Sequence, residues 1–331
     1  MNYIGSKHKL SDFILSSVIA VCGTDLTQKT ICDLFAGTGS VGRNFKSRVY
    51  KVIANDLEYY SYVLNRNYIG NNKDIDEKNL LAMLREFPEK EGFIFDNYGA
   101  AGKAGRQYFT AENAKKIDGY RQAIETSKIK KIIDDHQYYF LLASLLESAD
   151  KVANTASVYG AYLKHIKKSA AKPLEMHPAI FETSERSHEV YQEDSNTLIK
   201  RIEGDILYLD PPYNARQYGA NYHLLNTIAK YDTFVPQGKT GLRPYEKSVY
   251  CSKIKVEEAF ETLIKEAQFK YIFLSYNNEG LMSATRVKDI MQRYGKYDLM
   301  TTDYQRFKAD KTENRTHKAT STIEYLHILE K

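Results

Sequence analysis

No tryptophan occurs in the 331 residues, cysteine occurs only three times and proline only seven. Cys22, Cys32 and Cys251 are odd in number, widely spaced and in no metal-ligand pattern, so reduced thiols are expected and no metal site. No apolar run approaches the roughly 18 residues that cross a bilayer, and the amino terminus carries no signal-peptide pattern. A cytoplasmic protein with no membrane partner is therefore expected. Charge of one sign is also scarce: 47 Lys and Arg stand against 42 Asp and Glu, a net +5 that suits a polyanionic partner but is common without one. In place of tryptophan there are 27 tyrosines, each offering a stacking face and a hydroxyl. A 43% apolar content is enough to bury a real core.

Residues 205–213 read Asp-Ile-Leu-Tyr-Leu-Asp-Pro-Pro-Tyr. The apolar run has the length and branching of a strand covered on both faces, and two prolines that cannot donate to a ladder end it at Asp210. An acid, a rigid turn and the aromatic Tyr213 then stand at a strand's carboxyl end, where open α/β sheets hold ligands. The plain alternative is a strand followed by a Pro-Pro turn.

A second strand, from Thr30 to Phe35, runs into Ala36-Gly37-Thr38-Gly39-Ser40-Val41-Gly42, a Gly-x-Gly-x-x-Gly match before a helix. Another strand, Lys51–Asn55, ends at Asp56, 19 residues after Gly37, where a carboxylate can accept both hydroxyls of a ribose. Loop and acid together point to a nucleoside cofactor, with a dinucleotide and S-adenosylmethionine both fitting this much. His188–Gln192 is expected as a further strand with Asp194 just beyond it, placed either to read the cofactor's base or to cap the next helix.

Between these segments the strand and helix alternation stops. Residues 73–185 are expected as an inserted, mostly helical domain with helices near 78–86, 111–126 and 135–165, and the catalytic domain as 1–72 with 186–331. From Tyr98 to Lys172 there are 13 Lys and Arg against 7 Asp and Glu, an excess of 6. Lysines such as Lys115, Lys116, Lys128, Lys130, Lys131, Lys164, Lys167 and Lys168 alternate with Tyr108, Tyr120, Tyr138, Tyr159 and Tyr162. That mixture suits phosphate contacts, although solvated helix faces over a tyrosine core fit any single residue equally well. Residues 236–255 are expected as a mobile basic loop, and 305–318 as a second basic tip.

Asp-Leu-Phe-Ala-Gly-Thr-Gly-Ser at 33–40, Asp56, Asp-Pro-Pro-Tyr at 210–213 and the opening Tyr-Ile-Gly-Ser-Lys at 3–7 occur in one chain. In these motifs, and over residues 1–70 and about 185–331, it resembles the D12 class (Dam-like) of site-specific DNA adenine methyltransferases. The resemblance implies a Rossmann-like α/β fold with a seven-stranded, mostly parallel sheet containing one antiparallel strand, and a recognition role for the insertion. It implies transfer of the methyl of S-adenosylmethionine to N6 of an adenine flipped out of double-stranded DNA. Asp210, Pro211, Pro212 and Tyr213 would serve the target base, and Tyr3, Lys7, Asp33, Phe35, Gly37, Gly39, Asp56 and Asp194 the cofactor. Relatives of this type that methylate CATG imply that target, and a cognate restriction endonuclease sharing it. The competing readings are an amino-group methyltransferase acting on RNA adenine or guanine, a nicotinamide dehydrogenase suggested by the glycine loop, and a catalytically silent DNA-binding module.

Overall fold

Why the strand tips converge follows from strand order. The computed structural model describes residues 7–305 and 321–331; Tyr3 and the basic residues Arg306 to Lys318 lie outside the described residues. The strands are β1 (Thr30–Asp33), β2 (Lys51–Asn55), β3 (Glu189–Tyr191), β4 (Glu203–Leu209), β5 (Gln268–Asn277), β6 (Lys296–Gln305) and β7 (Ser321–Glu330). They form one sheet in the order β3-β2-β1-β4-β5-β7-β6. β1 to β5 run parallel, and β7 is antiparallel to both β5 and β6, as expected for this fold class. The chain winds outward from β1 in one direction and from β4 in the other, so the carboxyl ends of β1 and β4 flank the crevice where strand order reverses.

Burial on both faces explains the apolar runs. On one face Cys32, Leu207, Leu209, Ile272 and Leu274 pack with Phe260, Leu263 and Ile264 of the helix Val256–Glu266. On the other, Ile31, Val52, Ile206, Tyr208 and Phe273 are buried, and the helix Ser40–Phe45 packs on β1 and β2. Because side chains alternate along a strand, Asp33, the register partner of Tyr208, shares a face with Tyr208 and Asp210. The two acids are thereby neighbours before any ligand is considered.

Residues 7–65, Ser184–Gln217 and the described residues from Lys247 onward make up this sheet unit; Arg66–Thr183 with Tyr218–Glu246 form a second compact unit. That second unit extends beyond the expected insertion by taking in 66–72 and 218–246. Its helices include Glu77–Arg85, Phe93–Tyr98, Ala111–Ile129, Asp135–Lys151 and His223–Lys230. Asp134 and Gln137 form a reciprocal capping box that starts the helix at Asp135. The helix ends at Lys151, well short of the expected 165, because the buried Asn154 holds an irregular chain instead. Its amide donates to the carbonyls of Gln107 and Leu163 and accepts the Lys167 N–H.

Tyr98, Tyr108, Tyr159 and Tyr222 are fully buried in that unit. Tyr108 and Tyr159 thus belong to a tyrosine core and not to a polyanion-facing surface. The expected mobile loop is also anchored. Gln237 and Leu242 exchange backbone hydrogen bonds, Arg106 donates to the carbonyls of Gly238 and Lys239, and Tyr98 donates to that of Gly241. Farther along, Tyr250 and Cys251 are buried in the sheet unit.

Candidate active site

Four acids lie at or just beyond successive strand ends. Asp33 closes β1, Asp56 follows β2, Asp194 follows β3 and Asp210 follows β4. Between them the glycine loop turns tightly: Gly37 and Gly39 have φ of 53° and 78°, values that side chains with a Cβ rarely adopt. The Gly37 carbonyl accepts from Ser61 Oγ at 2.6 Å and Asn65 Nδ2 at 3.0 Å, and the Gly37 N–H donates to Asp56 Oδ2 at 2.8 Å. The Glu58 N–H binds Asp56 Oδ1 at 2.9 Å. The Leu57 N–H and the Ser61 hydroxyl also stabilise the charge of this carboxylate. Burial raises its pKa against the pull of these N–H groups.

Asn55, 1% exposed, was not singled out by sequence reasoning. It ties the tips together, donating to the carbonyls of Leu34 and Glu193 and accepting the Glu193 N–H. Nothing local marks it, since an asparagine closing a strand reads as an ordinary strand stop.

Asp33 is 2% exposed, and its Oδ2 takes the Gly42 N–H at 3.3 Å. Oδ1 is buried with no hydrogen-bond partner among the described residues, a costly state that a cationic donor would relieve. Burial, reinforced by the charge of Asp210, raises this carboxyl to about 8. The amino group of S-adenosylmethionine is such a donor, and the glycine loop and Asp56 suit its methionine and ribose parts. The residues present fit that cofactor. Phe35, half-buried, packs its ring edge-on against Tyr250 at 5.0 Å between centroids. Asp194 caps the helix Ser195–Leu198, its Oδ1 accepting the Thr197 N–H at 3.0 Å and the Thr197 hydroxyl at 3.2 Å. The capping alternative therefore describes what that oxygen does here.

Lys7, grouped by resemblance with the cofactor residues, meets Asp210 Oδ1 at 3.2 Å and Glu324 Oε1 at 2.7 Å. Burial works against its charge, but the two carboxylates outweigh that and hold the ammonium well above its ordinary range. Burial lifts Asp210 to about 6, with Lys7 pulling it down and Glu324 pushing it up. Pro211 is buried behind Asp210, and Tyr213, half-buried, is fixed through its carbonyl, which accepts the Leu281 N–H at 2.9 Å. Glu324 and Ser275 were invisible to motif reasoning, lying in β7 and β5 far from the diagnostic segments.

A family model described as D12 class N6 adenine-specific DNA methyltransferase matches residues 3–291. The chain is 64% identical to the Type II methyltransferase M.NlaIII of Neisseria lactamica, over all of this chain and 99% of that one. It is 38% identical to the Type II methyltransferase M.CviAII of Paramecium bursaria Chlorella virus 1, over 93% of each chain. To the Type II methyltransferase M.FokI of Planomicrobium okeanokoites it is 39% identical, over all of this chain but 53% of the relative. With acids and a glycine loop converging on one crevice, and a match spanning most of its length, the chain belongs to the D12 class of N6 adenine-specific DNA methyltransferases.

Proposed function

We propose that Asp210, Pro211 and Tyr213 receive the target adenine, and that Asp33, Gly37, Gly39 and Asp56 hold S-adenosylmethionine. The adjacency of Asp33 and Asp210 on one sheet face carries the assignment, because it sets a cofactor acid beside an acceptor-base acid. The adenine amino lone pair is delocalised into the ring, so the nitrogen is a poor nucleophile until its protons are drawn to acceptors. Asp210 supplies one acceptor and the carbonyl of Pro211 the other. The proline rings limit how that turn can relax, so the dipoles are aimed before reaction. Tyr213 offers a stacking face to a base that must leave the duplex to be reached, worth roughly 1–3 kcal/mol. S-adenosylmethionine supplies a sulfonium methyl, whose sulfur departs with the bonding electron pair as the nitrogen–carbon bond forms. The methylated nitrogen then releases a proton, which Asp210 is placed to take.

Phe35 borders the adenine end of the cofactor in this assignment, with Asp194 contributing through the oxygen not engaged in its cap. Lys7 serves the target-base side. Tyr3 keeps only the cofactor role implied by its motif.

The same proposal gives target recognition to the unit formed by Arg66–Thr183 and Tyr218–Glu246. Its basic residues divide into two sets. Arg121, 3% exposed, donates to the carbonyls of Ile228 and Ala229, and Lys115 pairs with Glu91 at 2.7 Å, so both serve the unit itself. Lys130, Lys131, Lys164 and Lys168 are exposed and are the ones offered to phosphate. Changing these four to glutamine is expected to weaken duplex binding and to reduce the slope of log K against log salt by up to about 0.9 per lost phosphate contact. An unchanged slope in the folded variant places the footprint elsewhere. CATG is the target we propose, with a restriction endonuclease of the same specificity as partner; full-length similarity to a Type II methyltransferase supports both. The adenines that become methylated in a host without its own methylation report the target.

A further inference from the structure

Glu324 is a carboxylate 4% exposed within β7, in register with Asn277 of β5. Its Oε1 accepts from Lys7 Nζ at 2.7 Å and from Ser275 Oγ at 2.6 Å. Lys7 reaches Asp210 Oδ1 at the longer distance of 3.2 Å. One ammonium thus serves two carboxylates and sits nearer the one farther from the chemistry. The other titratable groups that feel Asp210 are Asp33 on β1, Tyr208 on β4 and Tyr213 after the prolines, with Glu279 acting on Tyr213.

A buried lysine wholly committed to Asp210 would neutralise it and compete with adenine for its lone pairs. We propose that Glu324 is a positioning residue for methyl transfer, drawing the Lys7 ammonium toward β7 so that it orients Asp210 through Oδ1 while leaving the carboxylate a strong acceptor. Ser275 holds Glu324 in that pose. The proposal rests on Asp210 as the acceptor for adenine, but the contact network can be read without any turnover.

The experiment follows the Asp210 carboxyl by 13C NMR titration in ligand-free protein, with the signal assigned by its loss in Asp210→Asn. Wild type should titrate at about 6. Glu324→Gln removes a neighbouring negative charge and lets Lys7 close on Asp210, so the midpoint moves to lower pH. Ser275→Ala leaves Lys7 as the main donor to Glu324 and pulls it from Asp210, so the midpoint moves to higher pH. Single-turnover methylation by Glu324→Gln should fall about tenfold, less than the loss of a direct transition-state contact, with cofactor and duplex affinities unchanged. If Glu324→Gln does not fold, the direction of the shift in Ser275→Ala decides alone. Unmoved midpoints overturn the proposal, as do moved midpoints with a wild-type transfer rate. Neither result touches the assignment of Asp210, which is tested separately by the turnover of the Asp210 variants.

Discussion

Asp210→Ala is expected to slow methyl transfer by ~100- to 1,000-fold or more, while S-adenosylmethionine binds within about threefold of wild type. The loss follows from removing one of two acceptors that draw protons from the adenine amino group. The variant should fold, because Lys7 keeps Glu324 as a partner at 2.7 Å and is not left as an unpaired buried charge. Asp210→Asn separates acceptor from base. Its amide oxygen can still accept a hydrogen bond, so it should retain clearly more activity than the alanine variant if accepting is the main role. Rapid-quench single-turnover assays, with cofactor affinity measured separately, distinguish these outcomes. Near-normal turnover in Asp210→Ala, or equal losses in both variants, contradicts the assignment.

Asp33→Asn should weaken S-adenosylmethionine binding roughly 10- to 150-fold, the range set by about 1.5–3 kcal/mol for a hydrogen bond to a charged group. A pH signature accompanies it. With its carboxyl raised to about 8, Asp33 is protonated in the ligand-free protein at neutral pH. An ammonium donor favours the ionised form, so binding releases a proton and affinity rises with pH until about 8. The same shift acts on stability. A carboxyl that holds its proton more tightly folded than unfolded contributes stability that is full at low pH and is lost as pH climbs through about 8. Calorimetry in two buffers of different ionisation enthalpy should show proton release near pH 7 for wild type and none for Asp33→Asn. Equal affinity and equal release in the two proteins contradict the role.

The site was legible where chemistry coincides with a strand end. Asp33, Asp56 and Asp210 each close an apolar run that must stop, and the glycine loop announces a backbone that other residues cannot follow. Parallel strands bring such ends to one edge, so tip acids could be grouped from sequence alone. What escaped was whatever depends on pairing between distant strands. Glu324 lies in Ser-Thr-Ile-Glu-Tyr-Leu-His, where alternation alone does not say which face looks inward or that Lys7, 317 residues away, would meet it. Asn55 escaped because its role appears only once β1, β2 and the chain after β3 are side by side. Asp194 admitted both a cap and a cofactor contact, its place beside other strand-end acids favouring the cofactor, and the Thr197 N–H makes the cap visible. The tyrosines of the second unit show a related limit. Spacing them among lysines suggested a surface, whereas Tyr108 and Tyr159 are core and only their packing reveals it.

The most direct test of the whole account maps modified bases in a host that lacks its own DNA methylation, expressing either the wild-type chain or Asp210→Ala. Wild type should place N6-methyladenine at the adenine of CATG sites on both strands, and the variant should leave the DNA unmodified. N6-methyladenine at another sequence contradicts the proposed target alone. DNA without N6-methyladenine in cells making folded wild-type protein, or equal modification by the variant, contradicts the central claim that Asp210 and its neighbours transfer a methyl group to adenine in DNA.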